Sequence, residues 1–160
     1  TEGRMEGLVG GWFGPVALAR REENTMTVGS IMSGKVVTVG MDDSLETVRA
    51  LFEQVRFHHL LVVGEKRRLL GVISDRDLLK AVSPFVDTLS ETTRDRATLE
   101  KRVHQIMSRK PITVSRETSI ADAAALLLEE GVSCLPVTSP EGEVEGIVTW
   151  KDLLTAFFKI

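Results

Sequence analysis

Apolar and polar positions follow two patterns along this chain, and each pattern recurs 75 residues later. In Leu45–Arg56 the apolar residues Leu45, Val48, Leu51, Phe52 and Val55 are spaced by three and four, which predicts a helix with one buried face. Ile120–Glu129 repeats the spacing with Ile120, Ala123, Ala124 and Leu127, and Ser44 and Ser119 stand just ahead of the two helices as N-caps. The β-branched runs Val36–Val39 and Ile112–Val114 predict a short strand before each helix, and Leu60–Val63 and Leu135–Thr138 predict one after it. Loops carrying Gly64–Arg68 and Ser139–Glu143 then turn the chain into the strands Leu69–Ser74 and Val144–Thr149. The helices Asp75–Val82 and Trp150–Phe158 close the two copies.

Sliding the chain over itself aligns Val28–Ala81 with Val103–Ala156 without a gap, with identical pairs such as Ile31/Ile106, Met32/Met107, Gly71/Gly146, Asp77/Asp152 and Leu78/Leu153. Chance supplies only about three or four identities over such a length, so duplication is the economical explanation. The fold class expected is α+β (equally written α/β), two β-α-β-β-α repeats packed as a pseudo-two-fold module, because neither copy buries a core well alone. Residues 26–83 and 103–160 form the repeats. Residues 84–102, rich in both signs of charge, read as a solvated helical linker from about Ser90 to Lys101. Residues 1–25 read as an N-terminal arm or an expression remnant. In an arm, Trp12 and Phe13 would dock on something apolar, either this chain or a second subunit.

The length of 160 residues, with 42% hydrophobic and 27% charged, excludes a large multidomain enzyme and a disordered chain. A net charge of -3 argues against non-specific nucleic-acid binding. A single cysteine, Cys134, excludes an internal disulfide and a cysteine-rich zinc site, which fits a reducing, cytoplasmic setting. The uncharged stretch Gly7–Ala19 is too short to span a bilayer and carries three glycines and a proline after its start. Ala17-Leu18-Ala19 looks like a signal-peptide cleavage site, but Glu2 and Glu6 outweigh Arg4 where such a signal needs positive charge.

Candidate chemistry gathers where the last strand of each copy runs into the last helix. Ser74 or Thr149 puts a hydroxyl, backbone N–H groups and the positive helix end at one spot, which suits a phosphate, and Arg76 or Lys151 adds a cation. Asp77 and Asp152 lie in the first helical turn, where a carboxylate can accept from a vicinal diol such as the ribose hydroxyls. The same residues also read as an N-cap and a helix-dipole partner. Their duplication favours a nucleotide handle.

The paired Ile31-Met32 and Ile106-Met107 openings, the endings Gly71-Val72-Ile73-Ser74-Asp75-Arg76-Asp77-Leu78-Leu79 and Gly146-Ile147-Val148-Thr149-Trp150-Lys151-Asp152-Leu153-Leu154, and the segment Val132–Val137 resemble the tandem cystathionine-β-synthase (CBS) domain pair, or Bateman module. The resemblance covers Thr27 to Phe158 and implies a regulatory module, not an enzyme, that holds an adenosine nucleotide such as AMP, ADP or ATP as effector between the repeats. No cofactor is required. It implies one site combining Thr149, Lys151 and Asp152 with Val37, Phe57, His58 and His59, and a second combining Ser74, Arg76 and Asp77 with Ile112, Val132, Ser133 and Cys134. Val37 and Ile112 would offer backbone hydrogen bonds to adenine. Trp150 departs from the pattern, either filling the Asp152 site or stacking on a base, and Leu61 stands where the other copy has Pro136.

The expected partners are the nucleotide, a second copy pairing through Leu78, Leu79, Val82, Leu153, Leu154, Phe157 and Phe158, and an unidentified regulated protein, with no nucleic acid or membrane. The alternative is a ligand-free dimerisation or interaction protein whose cleft is filled by side chains. No metal is expected at His58-His59, because adjacent strand residues face opposite ways. Cys134 reads as a buried thiol.

Overall fold

A computed structural model describes residues 26–160, so the expectations for the first 25 residues, including the signal-peptide reading, lie outside the described residues. The elements in chain order are α1 (Val28–Ile31), β1 (Thr38–Val39), α2 (Leu45–Gln54), β2 (His59–Val63), β3 (Leu69–Ser74), α3 (Asp75–Ala81), α4 (Thr93–Ala97), β4 (Ser108–Arg109), α5 (Ile120–Glu130), β5 (Cys134–Thr138), β6 (Val144–Thr149) and α6 (Trp150–Phe158). The fold is mixed α and β with two similar halves. Each long helix starts where the capping chemistry puts it: Ser44 Oγ accepts from the Thr47 N–H, and Ser119 Oγ from the Asp122 N–H. Gly131, with φ of 63°, adopts the left-handed conformation that ends α5.

Strand β1 runs parallel to β2, β2 antiparallel to β3, and β3 antiparallel to β4, giving a four-stranded sheet; β5 and β6 form a two-stranded antiparallel sheet. The two early strands are shorter than their β-branched runs suggest. Val36–Val39 contributes only Thr38–Val39, and Ile112–Val114 forms no strand, only a single parallel bridge from Val114 to Val137. The difference between the halves has a covalent cause. The Leu61 N–H donates to the Val37 carbonyl at 3.2 Å, whereas Pro136, its counterpart, has no N–H to offer Ile112.

The halves are not self-contained, because each repeat lends its opening to the other. The first core holds Val39, Leu45, Val48, Leu60, Val62, Ile73 and Leu78 together with Val103 and Met107. The second holds Val114, Ile120, Ala123, Leu127, Leu135, Val137, Val148 and Leu153 together with Val28, with Ile31 and Met32 packed against it. The exchange is held by backbone. Ser33 and Ile147 exchange N–H···O bonds of 2.9 and 3.0 Å, and β4 pairs Arg109 with Gly71 and Ser108 with Val72. Gly71 and Gly146 permit it: a Cβ on Gly71 would lie 2.6 Å from the Ser108 carbonyl oxygen, and one on Gly146 2.8 Å from both the Ser33 carbonyl oxygen and Met32 Sδ.

The 84–102 segment is not the single solvated helix expected. A capping box between Thr92 and Asp95 delays the helix to Thr93, and a 3-10 turn at Thr98–Glu100 follows it and buries Leu99. The segment straps α2, with Asp87 bonded to Arg49 and to Arg96, the latter at 2.8 Å. A second correction concerns the helix faces. Leu78 and Leu153 belong to the cores, so the apolar surface outside them consists of Leu79 on α3 and Leu154, Phe157 and Phe158 on α6.

Candidate functional site

Strand β3 delivers Ser74, and β6 delivers Thr149, to the start of the helix that follows. Asp77 Oδ2 accepts from the Ser74 N–H and the Ser74 hydroxyl, both at 2.8 Å, and Ser74 Oγ accepts from the Asp77 N–H at 3.1 Å. Asp152 Oδ2 likewise accepts from the Thr149 N–H at 2.8 Å and from its hydroxyl at 2.9 Å. Both aspartates are therefore capping residues, as the plainer of the two sequence readings has it. Capping does not exhaust them: each box uses Oδ2, so Oδ1 can accept a further bond.

The first candidate set comes together around a cleft of about 50 Å³ between the halves, lined by Val37, Phe57, His58, His59 and Thr149 with Lys35, Val36, Leu61 and Ile147. Lys151 and Asp152 follow Thr149 in the first turn of α6 and do not line the cleft itself. Lys35, Val36 and Ile147 were not among the residues the sequence pointed to, and Leu61 was marked only as the counterpart of Pro136, although the identical pair Lys35/Lys110 was a visible signal at that end of the strand.

The second set is not gathered at that cleft, which none of its residues lines. Ser133 Oγ and His59 Nε2 lie 2.8 Å apart, and His59 stands opposite Ser74 in the β2–β3 ladder. Cys134 stands opposite Thr149 in the β5–β6 ladder, so the start of each middle strand abuts its own repeat's ending. Ile112 and Val132 are partly buried against the second core. Cys134 is buried, and that burial pushes its thiol up to about 12, so it is a protonated thiol at neutral pH. Arg76 and Asp77 lie in the first turn of α3.

The two histidines differ electrostatically. Burial lowers the pKa of His59, opposing the attraction of Asp75, so its imidazole is neutral at pH 7. His58 Nδ1 is paired with Asp75 Oδ2 at 2.8 Å, and the Asp75 N–H donates to the His58 carbonyl at 3.0 Å. Burial alone would raise the Asp75 pKa, but the His58 bond and the Arg76 N–H outweigh it and hold the carboxylate below its usual range. Trp150, the counterpart of Asp75, neither fills the Asp152 site nor borders the cleft. It packs against the second core and lines an apolar groove between α5 and α6.

Two intertwined halves, each ending in a capped strand-to-helix corner, are the architecture of a tandem domain pair. The CBS domain family model matches residues 28–84 and 103–159, and the chain belongs to that family as a tandem CBS pair. A CBS domain-containing protein of Dictyostelium discoideum is 33% identical over 134 residues, covering 83% of this chain and 92% of its own. The structure of Arabidopsis thaliana CBSX2 in complex with AMP superposes with a TM-score of 0.71 at 29% identity, covering 84% of this chain and 97% of that one. The CBS domain pair of protein MJ0100, in complex with 5-methylthioadenosine and S-adenosyl-L-methionine, gives 0.69 at 25% identity, with the same coverage of 84% and 97%. Among the described residues no helix is long and apolar enough to cross a membrane.

Proposed function

We propose that this CBS pair is a sensing module that takes an adenosine-type ligand between its halves and transmits occupancy as a change of shape or partner affinity. The observation that carries this reading is the convergence of Val37, Phe57, His58, His59 and Thr149 on one cleft, with the Asp152 carboxylate bonded to Thr149 at its edge. Related CBS pairs that hold AMP, methylthioadenosine or S-adenosylmethionine support the ligand class. In the first site Thr149, Lys151 and Asp152 take the ribose and phosphate end, and Val37 and Phe57 take the base. In the second, Ser74, Arg76 and Asp77 do the former work, and Ile112, Val132, Ser133 and the Cys134 backbone the latter. The sites differ in charge, because Asp75 lies beside Arg76 whereas Trp150 lies beside Lys151.

A cleft of about 50 Å³ is far below the roughly 300–1,000 Å³ of ordinary ligand sites, so binding must open it. A ligand does so only through its differential affinity for the open state. The same small volume favours the second reading, an interaction protein whose cleft stays filled by side chains.

Thermal shift with AMP, ADP, ATP, S-adenosylmethionine and NAD separates the two. At a hundredfold excess over Kd, a ligand that binds only the folded state adds about 2.7 kcal/mol. Asp152→Asn and Asp77→Asn retain one acceptor oxygen for the cap but lose the carboxylate, so the double variant should fold and lose the ligand-induced shift. No shift with any of the five, or an equal shift in the double variant, refutes the assignment.

A further inference from the structure

The two sheets are tied to each other at both ends, and the ties differ in kind. At the hairpin end they are backbone: the Leu69 N–H donates to the Gly142 carbonyl at 3.0 Å, and Arg68 forms an antiparallel bridge with Glu143. At the other end of β3, about 17 Å away at strand rise, Ser74 stands opposite His59. Here the tie is made by side chains, His59 Nε2 to Ser133 Oγ at 2.8 Å. It is made once. The pseudo-two-fold counterpart of that bond would join Cys134 to His58, but His58 Nδ1 is held by Asp75 of its own half, and Cys134 offers only a thiol, a weak donor.

The directions of the side chains show what this tie closes. His59 and Thr149 both line the cleft of about 50 Å³. Cys134 is the ladder partner of Thr149, and residues directly opposite in an antiparallel ladder share a face, so its thiol lies on the cleft side of the sheet. Leu135 and Val137 take the other face, into the second core, whereas Cys134 belongs to neither core and is still only 7% exposed. Its cover on the cleft side is the first half.

We infer that the His59–Ser133 bond is the latch of the cleft and the backbone tie at the hairpins its hinge, an inference that rests on the cleft being the ligand site proposed above. The His59 imidazole is neutral, with one nitrogen to donate and one to accept, and a serine hydroxyl does either, so the bond forms with both tautomers. A single neutral hydrogen bond has a modest net worth, so it biases the closed state without fixing it. A ligand that needs the open state binds with an affinity reduced by the open fraction, and loss of the latch therefore tightens binding in the first site. That is the opposite of what loss of a contact residue does.

Two readouts test the latch, one of them free of ligand. Cys134 is the sole cysteine of the chain, and in the full chain without ligand Ser133→Ala should raise its rate of alkylation by iodoacetamide by about two- to tenfold. Ser133→Thr keeps the hydroxyl and should stay at the wild-type rate. In calorimetry with AMP, on chains that also carry Asp77→Asn to silence the second corner, Ser133→Ala should lower Kd by a similar factor and Ser133→Thr should not. An unchanged alkylation rate in Ser133→Ala overturns the latch, and so does a weaker affinity for AMP. Faster alkylation matched by an equal loss of global stability in urea also overturns it, because the thiol would then be exposed by unfolding. Faster alkylation at unchanged stability, with no AMP bound by any of the chains, upholds the latch and refutes instead the cleft as an AMP site.

Discussion

Replacing Gly71 or Gly146 by alanine tests the exchange of openings directly. The new Cβ on Gly71 would lie 2.6 Å from the Ser108 carbonyl oxygen and 2.9 Å from Met107 Sδ, against an ordinary contact that begins at 3.4 Å. A flexible thioether can move away, but the carbonyl cannot, because Ser108 and Arg109 are tied to Val72 and Gly71 in the ladder. At Gly146 the obstacle is the Ser33 carbonyl oxygen, which is already accepting from Ile147. Overpacking of this kind costs about 1–3 kcal/mol, and each bond broken to relieve it adds about 1 kcal/mol. The loss of glycine freedom in the unfolded chain returns about 0.4–1 kcal/mol. The net expectation is a destabilisation of about 2–3 kcal/mol for either variant, or a fall of about 6–10 °C in Tm for a chain of this size. Circular dichroism melts measure it, with Gly34→Ala as the control, since a Cβ at Gly34 meets nothing within 4 Å. If both variants melt with the control, the halves do not approach as closely as described.

Two further outcomes follow from buried titratable groups. Because burial depresses the His59 pKa, the unfolded chain binds its proton first, so stability present above the ordinary histidine value of 6.5 is lost as pH falls below it. His59→Asn should flatten the stability profile across that acid limb, and an unchanged slope in urea titrations would rule out a neutral, desolvated His59. The Cys134 thiol, pushed up to about 12 by burial, should resist iodoacetamide in the folded protein at mildly alkaline pH and react once the chain is unfolded in guanidinium. Rapid stoichiometric alkylation of the native protein would contradict that burial.

Much of the secondary structure was legible because its causes are local. Leu69–Ser74, Val144–Thr149 and Trp150–Phe158 begin and end where their periodicity and capping residues place them. The strand-to-helix corners were legible too, since a hydroxyl residue followed by aspartate three positions on carries its own geometry. The helix expected across 90–101 was misjudged, because mixed charge marks a solvated stretch without saying where a capping box restarts it or that Leu99 turns inward. The short first strands were misjudged because a parallel strand depends on the N–H groups of a partner distant in sequence, and Pro136 withholds one.

What the sequence determined by itself was the duplication, visible when the chain is slid 75 residues over itself, and the elements of each copy and the residues presented at each corner, which depend on near neighbours in the chain. Only the tertiary structure decided which copy completes which. Periodicity records that Val28, Ile31 and Met32 have an apolar face, but two copies with the same element pattern offer similar faces to receive it. The choice of the other half was made by long-range backbone pairing, Ser33 with Ile147 and Arg109 with Gly71, and by the space two glycines leave for it. The same packing turned Trp150 away from the cleft and joined His59 to Ser133 across the halves, because burial and register are properties of the assembled chain.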